Sequence, residues 1–317
     1  GVSEVTYTEA RESGGSGFTW TGLVNGTSYW FAVSAISTDG MSPLSNAVEL
    51  APFAPLSGGV TRQLAPDTET AGGSHGLAVA TDGDFVAVGA PGQVVNGYSS
   101  GAVFVYERTP TGWSAPEVLT PPSPSGAELF GTAVALSGDT LTVGAPGWMN
   151  AFFDTEGRAF VYERGTGNSW SLDDTLSAGT NAENGAEFGK SISMSGDYIV
   201  VGAPSEDDGA TADAGAAYVY LRGSVDWGTG ERVTRSGDTP VDSDSLGEGV
   251  AIDGDYLLVG VPGGDYSSFS NPGLAEAYRR TGANTWTFSG ELIASDAFTD
   301  EGTFTPDGEL FGDSVGI

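Results

Sequence analysis

Between Ser205 and Asp213 the chain reads Ser-Glu-Asp-Asp-Gly-Ala-Thr-Ala-Asp, which places Glu206, Asp207, Asp208 and Asp213 around one glycine. Carboxylates are hard oxygen donors, and a hard cation surrounds itself with about six to eight such oxygens. These four are therefore the candidate metal ligands, with a solvated acidic loop as the other reading; Asp242-Ser-Asp244 is a poorer version of the same thing. Nucleophilic and acid–base chemistry has less to work with. There is no cysteine and one histidine, His75, so thiolate nucleophiles, thiolate metal sites and disulfides are excluded. Asp and Glu number 42 in 317 residues, so carboxylate pairs occur at many spacings and mark no acid–base couple. No catalytic residue is assigned, and a non-enzymatic protein is expected. The candidates for ligand contact are aromatic: Tyr98, Trp148, Phe152, Phe153, Tyr266 and Phe269.

The elements that must position these residues are repeats. Gly83-Asp-Phe-Val-Ala-Val-Gly-Ala-Pro91 returns at Gly138 to Pro146, Gly196 to Pro204 and Gly254 to Pro262, at intervals of 55, 58 and 58 residues. That period is long enough for four short strands with turns. Upstream of each phrase stand His75-Gly76, Phe130-Gly131, Phe188-Gly189 and Leu246-Gly247; Phe311-Gly312 begins another copy. Downstream come runs ending in Tyr106, Tyr162, Tyr220 and Tyr278, then Trp113, Trp170, Trp227 and Trp286. An apolar residue follows each Trp by six positions, a spacing that keeps both on one face of a strand. The Gly-Asp dipeptides read as tight hairpin turns, with the aspartates forming turns rather than doing chemistry. His75 occupies a phenylalanine position and reads as a strand residue. The tryptophans read as plugs between neighbouring sheets. Arg108, Arg164, Arg222 and Arg280 recur once per copy, and are expected to pair with local carboxylates or stack on the following Trp. The candidate aromatics and acids fall in the segments after each Gly-Ala-Pro, at 92–100, 147–156, 205–214 and 263–272, which repetition places on one face.

These landmarks resemble the FG-GAP repeat, the blade of integrin alpha-like propellers and of many bacterial surface proteins. The resemblance covers roughly residues 60–317 and implies an all-β propeller of four-stranded antiparallel blades, in a ring of about seven. Four repeats and the start of a fifth are present, so the ring is expected to be incomplete at the C-terminal end. The resemblance also raises calcium. Integrin-type blades carry a longer acidic loop where this chain has only the short Gly-Asp turn, so no cation is expected at Asp139 or Asp197, and the 206–213 loop is where calcium stays open.

Residues 1–50 differ. Phe18 to Ala35 alternates apolar with polar around Asn25-Gly-Thr27, as paired strands do. The Leu-x-x-Gly-Thr-x-Tyr run resembles the C-terminal half of a fibronectin type III sandwich, with Tyr29 at its corner. A chain starting inside a domain is expected to be an excerpt of a longer polypeptide. Residues 51–59 form a short proline-containing joint, stiffened by Pro52 and Pro55. Val60–Leu64 then reads as a detached outer strand, with the propeller running from 60 to 317.

The formal charge of −31, with Lys190 the only lysine, disfavours nucleic acid and anionic lipid as partners. No apolar run reaches the roughly 20 residues of a membrane span, so direct insertion is not expected. The function expected is an extracellular adhesion or ligand-binding module of a larger surface protein, with a protein or glycan ligand on a cell or matrix surface. Alternatives are a self-associating subunit of a surface layer or fibre, and the accessory propeller of a secreted hydrolase.

Overall fold

The structure, a computed structural model, describes residues 70–110, 112–265, 273–293 and 311–317, and before them the backbone of four short strands. The chain divides into two compact units, Gly1–Gln63 and Leu64–Ile317. The first contains β1 (Tyr29–Phe31), β2 (Ile36–Ser37), β3 (Gly40–Met41) and β4 (Val48–Leu50); β1 pairs with β4 and β2 with β3, both antiparallel. The Asn-Gly-Thr turn, the 51–59 joint and Val60–Leu64 lie outside the described residues.

In the second unit each sequence repeat becomes one antiparallel sheet, here called a blade. Blade one holds β5 (Val79–Asp82), β6 (Phe85–Ala90), a small hairpin of β7 (Val94–Val95) and β8 (Tyr98–Ser99), then β9 (Ala102–Thr109), β10 (Gly112–Trp113) and β11 (Glu117–Leu119). Blade two is β12 (Val134–Ser137), β13 (Thr140–Ala145), β14 (Arg158–Arg164) and β15 (Trp170–Leu176). Blade three is β16 (Ile192–Ser195), β17 (Tyr198–Ala203), β18 (Ala216–Leu221) and β19 (Glu231–Val233). Blade four is β20 (Val250–Asp253), β21 (Tyr256–Val261), β22 (Leu274–Gly282) and β23 (Thr285–Leu292). Among the described residues there is no α-helix, only a 3-10 turn at Gly179–Asn181. The architecture is all-β, in propeller-like blades, as the repeats imply.

The repeated phrase explains its own geometry. Each Gly-Asp pair makes a two-residue hairpin loop, as in Ser137 opposite Thr140, with positive φ at the glycine (Gly138, +60°), which costs glycine little. Each second strand ends on the residue before its proline, Pro91, Pro146, Pro204 or Pro262, because proline has no N–H for the ladder. These strands are near-continuous apolar runs, and β13 and β17 are buried at every position. Such a run suits a sheet covered on both faces, and the core indeed lies between blades. Phe85, Val103 and Leu119 of blade one pack with Phe130, Phe160 and Trp170 of blade two; Val161 and Leu176 pack with Phe188, Tyr218 and Trp227; Val200 and Val233 pack with Leu246, Val259 and Tyr278.

Glycines make that packing close enough. Gly131 N donates to Gly144 O within blade two at 2.9 Å, while the carbonyl of Gly189 from blade three lies where a Cβ on Gly144 would be. Gly89 with Gly131, Gly202 with Gly247, and Gly260 with Gly312 repeat the contact. A tyrosine hydroxyl ties each junction again: Tyr162 donates to Thr120 O at 3.3 Å, Tyr220 to Ser177 O at 2.6 Å and Tyr278 to Thr234 O at 3.0 Å.

Two sequence expectations are corrected. The position that His75 shares with Phe130, Phe188, Leu246 and Phe311 is not in a strand: the last four make isolated parallel bridges to Gly101, Gly157, Gly215 and Gly273 of the preceding blade. His75 likewise lies in a turn, edge-on to Phe104 at 5.1 Å. The Trp and the apolar residue six positions on share one strand in blades two and four, β15 and β23, but not in blades one and three. Blade one splits its outer strand, β19 begins after Trp227, and blades two and four carry register shifts. Trp170, Trp227 and Trp286 nonetheless sit between blades, Trp170 edge-on to Phe85 at 6.0 Å and Trp286 edge-on to Tyr198 at 5.8 Å, whereas Trp113 packs on its own blade. The periodic arginines pair as read: Arg108 with Asp84, Arg164 with Asp139 and Arg280 with Asp255. Arg222 instead pairs with Glu163 of the preceding blade while lying 4.8 Å from the Trp227 ring. The turn aspartates thus hold guanidinium groups as well as turns.

Candidate functional site

The parallel bridges that join blades also gather the variable segments. Each segment after Gly-Ala-Pro must return to the glycine that opens the third strand, and that glycine is held beside the Phe-Gly landmark of the next blade. Backbone bonds fasten the returning chain there: Ala127 N to Ser99 O at 3.0 Å, Gly185 N to Thr155 O at 2.8 Å, Ser243 N to Ala212 O at 2.9 Å. The segments therefore sit at equivalent edges of successive blades, rooted on a core that does not vary.

Of the six candidate aromatics, Tyr98, Trp148, Phe152 and Phe153 are described; Tyr266 and Phe269 lie outside the described residues. Tyr98 is half-exposed on β8. Trp148 packs against the core shared by blades one and two, and the Arg158 guanidinium lies 4.2 Å from its ring centroid, so its indole is largely spent on the fold. Phe152 and Phe153 are 84% and 82% exposed. Asn150 organises their turn: its Oδ1 accepts from Phe152 N at 2.7 Å and Asp154 N at 3.1 Å, and its Nδ2 donates to Glu156 Oε1 at 2.6 Å. Phe153 holds φ +67°, uncommon for a bulky residue, and its N–H donates to Asn150 O at 3.1 Å.

The four candidate metal ligands are occupied differently from one another. Glu206 is buried and accepts the Tyr218 hydroxyl at 2.7 and 2.8 Å and Arg232 Nε at 2.6 Å. Burial pushes its carboxyl above the usual range, against the opposing pull of Tyr218 and Arg232. Asp208 reaches the same guanidinium at 3.2 Å. Asp207 Oδ1 accepts from Asp213 N at 3.0 Å, and its own N–H donates to Glu183. Arg232, absent from the sequence reading, provides the positive charge between Glu206 and Asp208. Among the described residues no three carboxylate or histidine side chains gather as a cation shell would require.

A second ionic cluster was likewise missed. Arg235, with its side chain 1% exposed, pairs with Asp244 at 3.1 Å, Glu276 at 3.2 Å and Glu291 at 3.5 Å. Glu276 also accepts Ser236 N, Gly237 N and the Tyr278 hydroxyl. Burial raises the Asp244 carboxyl despite Val241 N–H and Arg235. Asp242, two residues before it in the Asp-Ser-Asp run, accepts Ala212 N at 3.1 Å. One signal was available: Glu276 stands where the other copies have Phe104, Phe160 and Tyr218, and a carboxylate at a core position calls for a buried base.

The FG-GAP repeat family model matches residues 61–106, 113–162 and 170–220. Three stretches of the chain are thus similar to the FG-GAP repeat. Each of the second and third matched spans opens on a Trp and closes on a third-strand Tyr, so an FG-GAP unit takes its first strand from one sheet and the rest from the next. The repeat is thereby written across the junction that buries the core. The fourth blade has the same FG-GAP landmarks beyond those spans. No curated protein matches the chain.

Proposed function

We propose that this chain is a non-enzymatic ligand-binding or adhesion module that works outside the cell or at its surface, with the segments after Gly-Ala-Pro as its contact face. The observation that carries this reading is the contrast within one blade: β13 is wholly buried, while the loop that follows it ends in two phenylalanines more than four-fifths exposed. Loops on a rigid scaffold commonly carry recognition, and exposed apolar groups grouped together mark an interface. The FG-GAP repeats support the same class, although a fold by itself leaves function open. Glu206 and Asp244, two of the carboxylates that burial pushes upward, are engaged by Arg232 and Arg235, which favours a structural over a catalytic use. We read residues 1–50 as part of a fibronectin type III sandwich, a frequent companion of surface modules.

The test is an array of glycans and proteins probed with the whole chain and with variants that change only exposed loop residues, Tyr98→Ser, Phe152→Ser/Phe153→Ser and Asp207→Asn/Asp213→Asn. Binding to a defined ligand, lost in one or more of these variants at unchanged thermal midpoint, is expected. Binding insensitive to all three replacements would move the site elsewhere.

A further inference from the structure

We infer that Phe152 and Phe153 form the anchor by which this chain docks a basic partner protein, the two rings entering an apolar pocket of the partner and its lysines and arginines meeting the acidic rim beside them. The inference rests on the binding reading above and narrows it to one loop and one class of partner. Burial of phenylalanine is among the larger gains any side chain brings to a fold, yet both rings are left in water. The backbone that presents them is held firmly. Besides the bonds from Asn150, Met149 bridges Thr155 across the loop, and Asn150 N donates to Asp154 O at 2.9 Å. A tip already ordered loses little freedom when it is bound, so more of its contact energy becomes affinity.

The surroundings of the tip select the partner. Thr155 N donates to Asn184 Oδ1 at 2.8 Å, which seats the base of the loop on the segment of blade three that carries Glu183 and Glu187. The Glu183 carboxylate in turn meets Asp207 N, at the start of the acidic loop containing the exposed Asp207 and Asp213. The cations nearby are spoken for: Arg158 pairs with Glu156, Lys190 with Glu187, and Arg232 with Glu206 and Asp208. The rim is left negative on a chain whose formal charge is −31. Such a field repels nucleic acid, anionic lipid and a second copy of the chain, and speeds encounter with a cationic surface. Two benzyl groups also offer no donor or acceptor to the hydroxyls of a sugar, whereas an apolar pocket in a protein suits them.

The experiment is a selection of random displayed peptides on the whole immobilised chain, followed by affinity measurement of an enriched peptide against wild type, Phe152→Ser/Phe153→Ser and Tyr98→Ser. Peptides combining Lys or Arg with apolar residues are expected, with affinity falling about tenfold or more in the double variant, falling again with added salt, and with an unchanged thermal midpoint. Enriched peptides without basic residues, or an affinity indifferent to the double substitution, would overturn the inference. So would capture of a glycan, or of phosphatidylserine or phosphatidylcholine vesicles, that the double variant abolishes. Binding lost in Tyr98→Ser but kept in the double variant would sink this inference and leave the binding reading standing. A wild-type chain that selects no peptide, glycan or vesicle would defeat both.

Discussion

Glu206 is held at the meeting point of burial, a tyrosine hydroxyl and a guanidinium, and burial prevails, so its folded pKa lies above its ordinary value of 4.5. The groups facing it are Tyr218, Arg232 and Glu183. In the pH window between 4.5 and the raised native value the folded protein keeps a proton that the unfolded chain has released. Stability from this group is therefore full at the acidic side of the window and is lost as pH rises through it. Thermal midpoints followed as the pH is lowered toward 4.5 should rise, and Glu206→Gln should flatten that dependence; an unaltered slope in the variant would show that Glu206 does not carry it. Tyr220 makes a simpler case. Its hydroxyl serves the Ser177 carbonyl at 2.6 Å across a blade junction, and Tyr220→Phe should cost about 1 kcal/mol in chemical denaturation. The sequence could display four neighbouring carboxylates, but not that Arg232 folds back onto two of them, because that pairing is made by strand register between β18 and β19.

At the scale of the blade, the Gly-Ala-Pro glycine is chosen by its neighbour and not by its own strand. Gly144 needs no positive φ; it lacks a side chain because the Gly189 carbonyl of the following blade occupies that space, with Ile192 Cδ1 also close by. Gly144→Ala should therefore push two blades apart and destabilise the protein by about 1–3 kcal/mol, the usual cost of overpacking. Gly165→Ala, where a Cβ would meet only Ser169 at 3.7 Å and beyond, serves as the control with little expected loss. Equal effects from the two substitutions would remove the close blade contact as the reason for the motif.

Across the whole molecule the dominant property is charge. Asp and Glu outnumber Lys and Arg by 42 to 11, and pairs such as Arg108 with Asp84 are exposed, where an ion pair contributes little. Net self-repulsion should therefore outweigh the pairs, and screening should relieve it. Raising salt from about 10 to 150 mM shortens the screening distance from about 30 to 8 Å, and the thermal midpoint is expected to climb by about 2–4 °C, on the order of 1 kcal/mol. A falling midpoint would mean that the ion pairs matter more than the repulsion.

The blades were legible in the chain because their causes are local or periodic. Glycine at a two-residue turn, proline closing a strand and an apolar run between them act within a few residues, and their return four times fixes the order of the sheets. The post-Gly-Ala-Pro loops were legible as a set for the same reason. What the chain alone left undecided depended on residues far apart in sequence. Trp148 and Phe152 look alike as loop aromatics, yet one is drawn under Arg158 onto the core and the other is held in water by Asn150. Glu206 and Asp213 look alike as candidate ligands, yet one is buried against Arg232 and the other faces solvent. Each difference comes from tertiary closure: strand pairing within a blade brings Arg158 to Trp148 and Arg232 to Glu206, and packing against the neighbouring blade decides which side chains are buried.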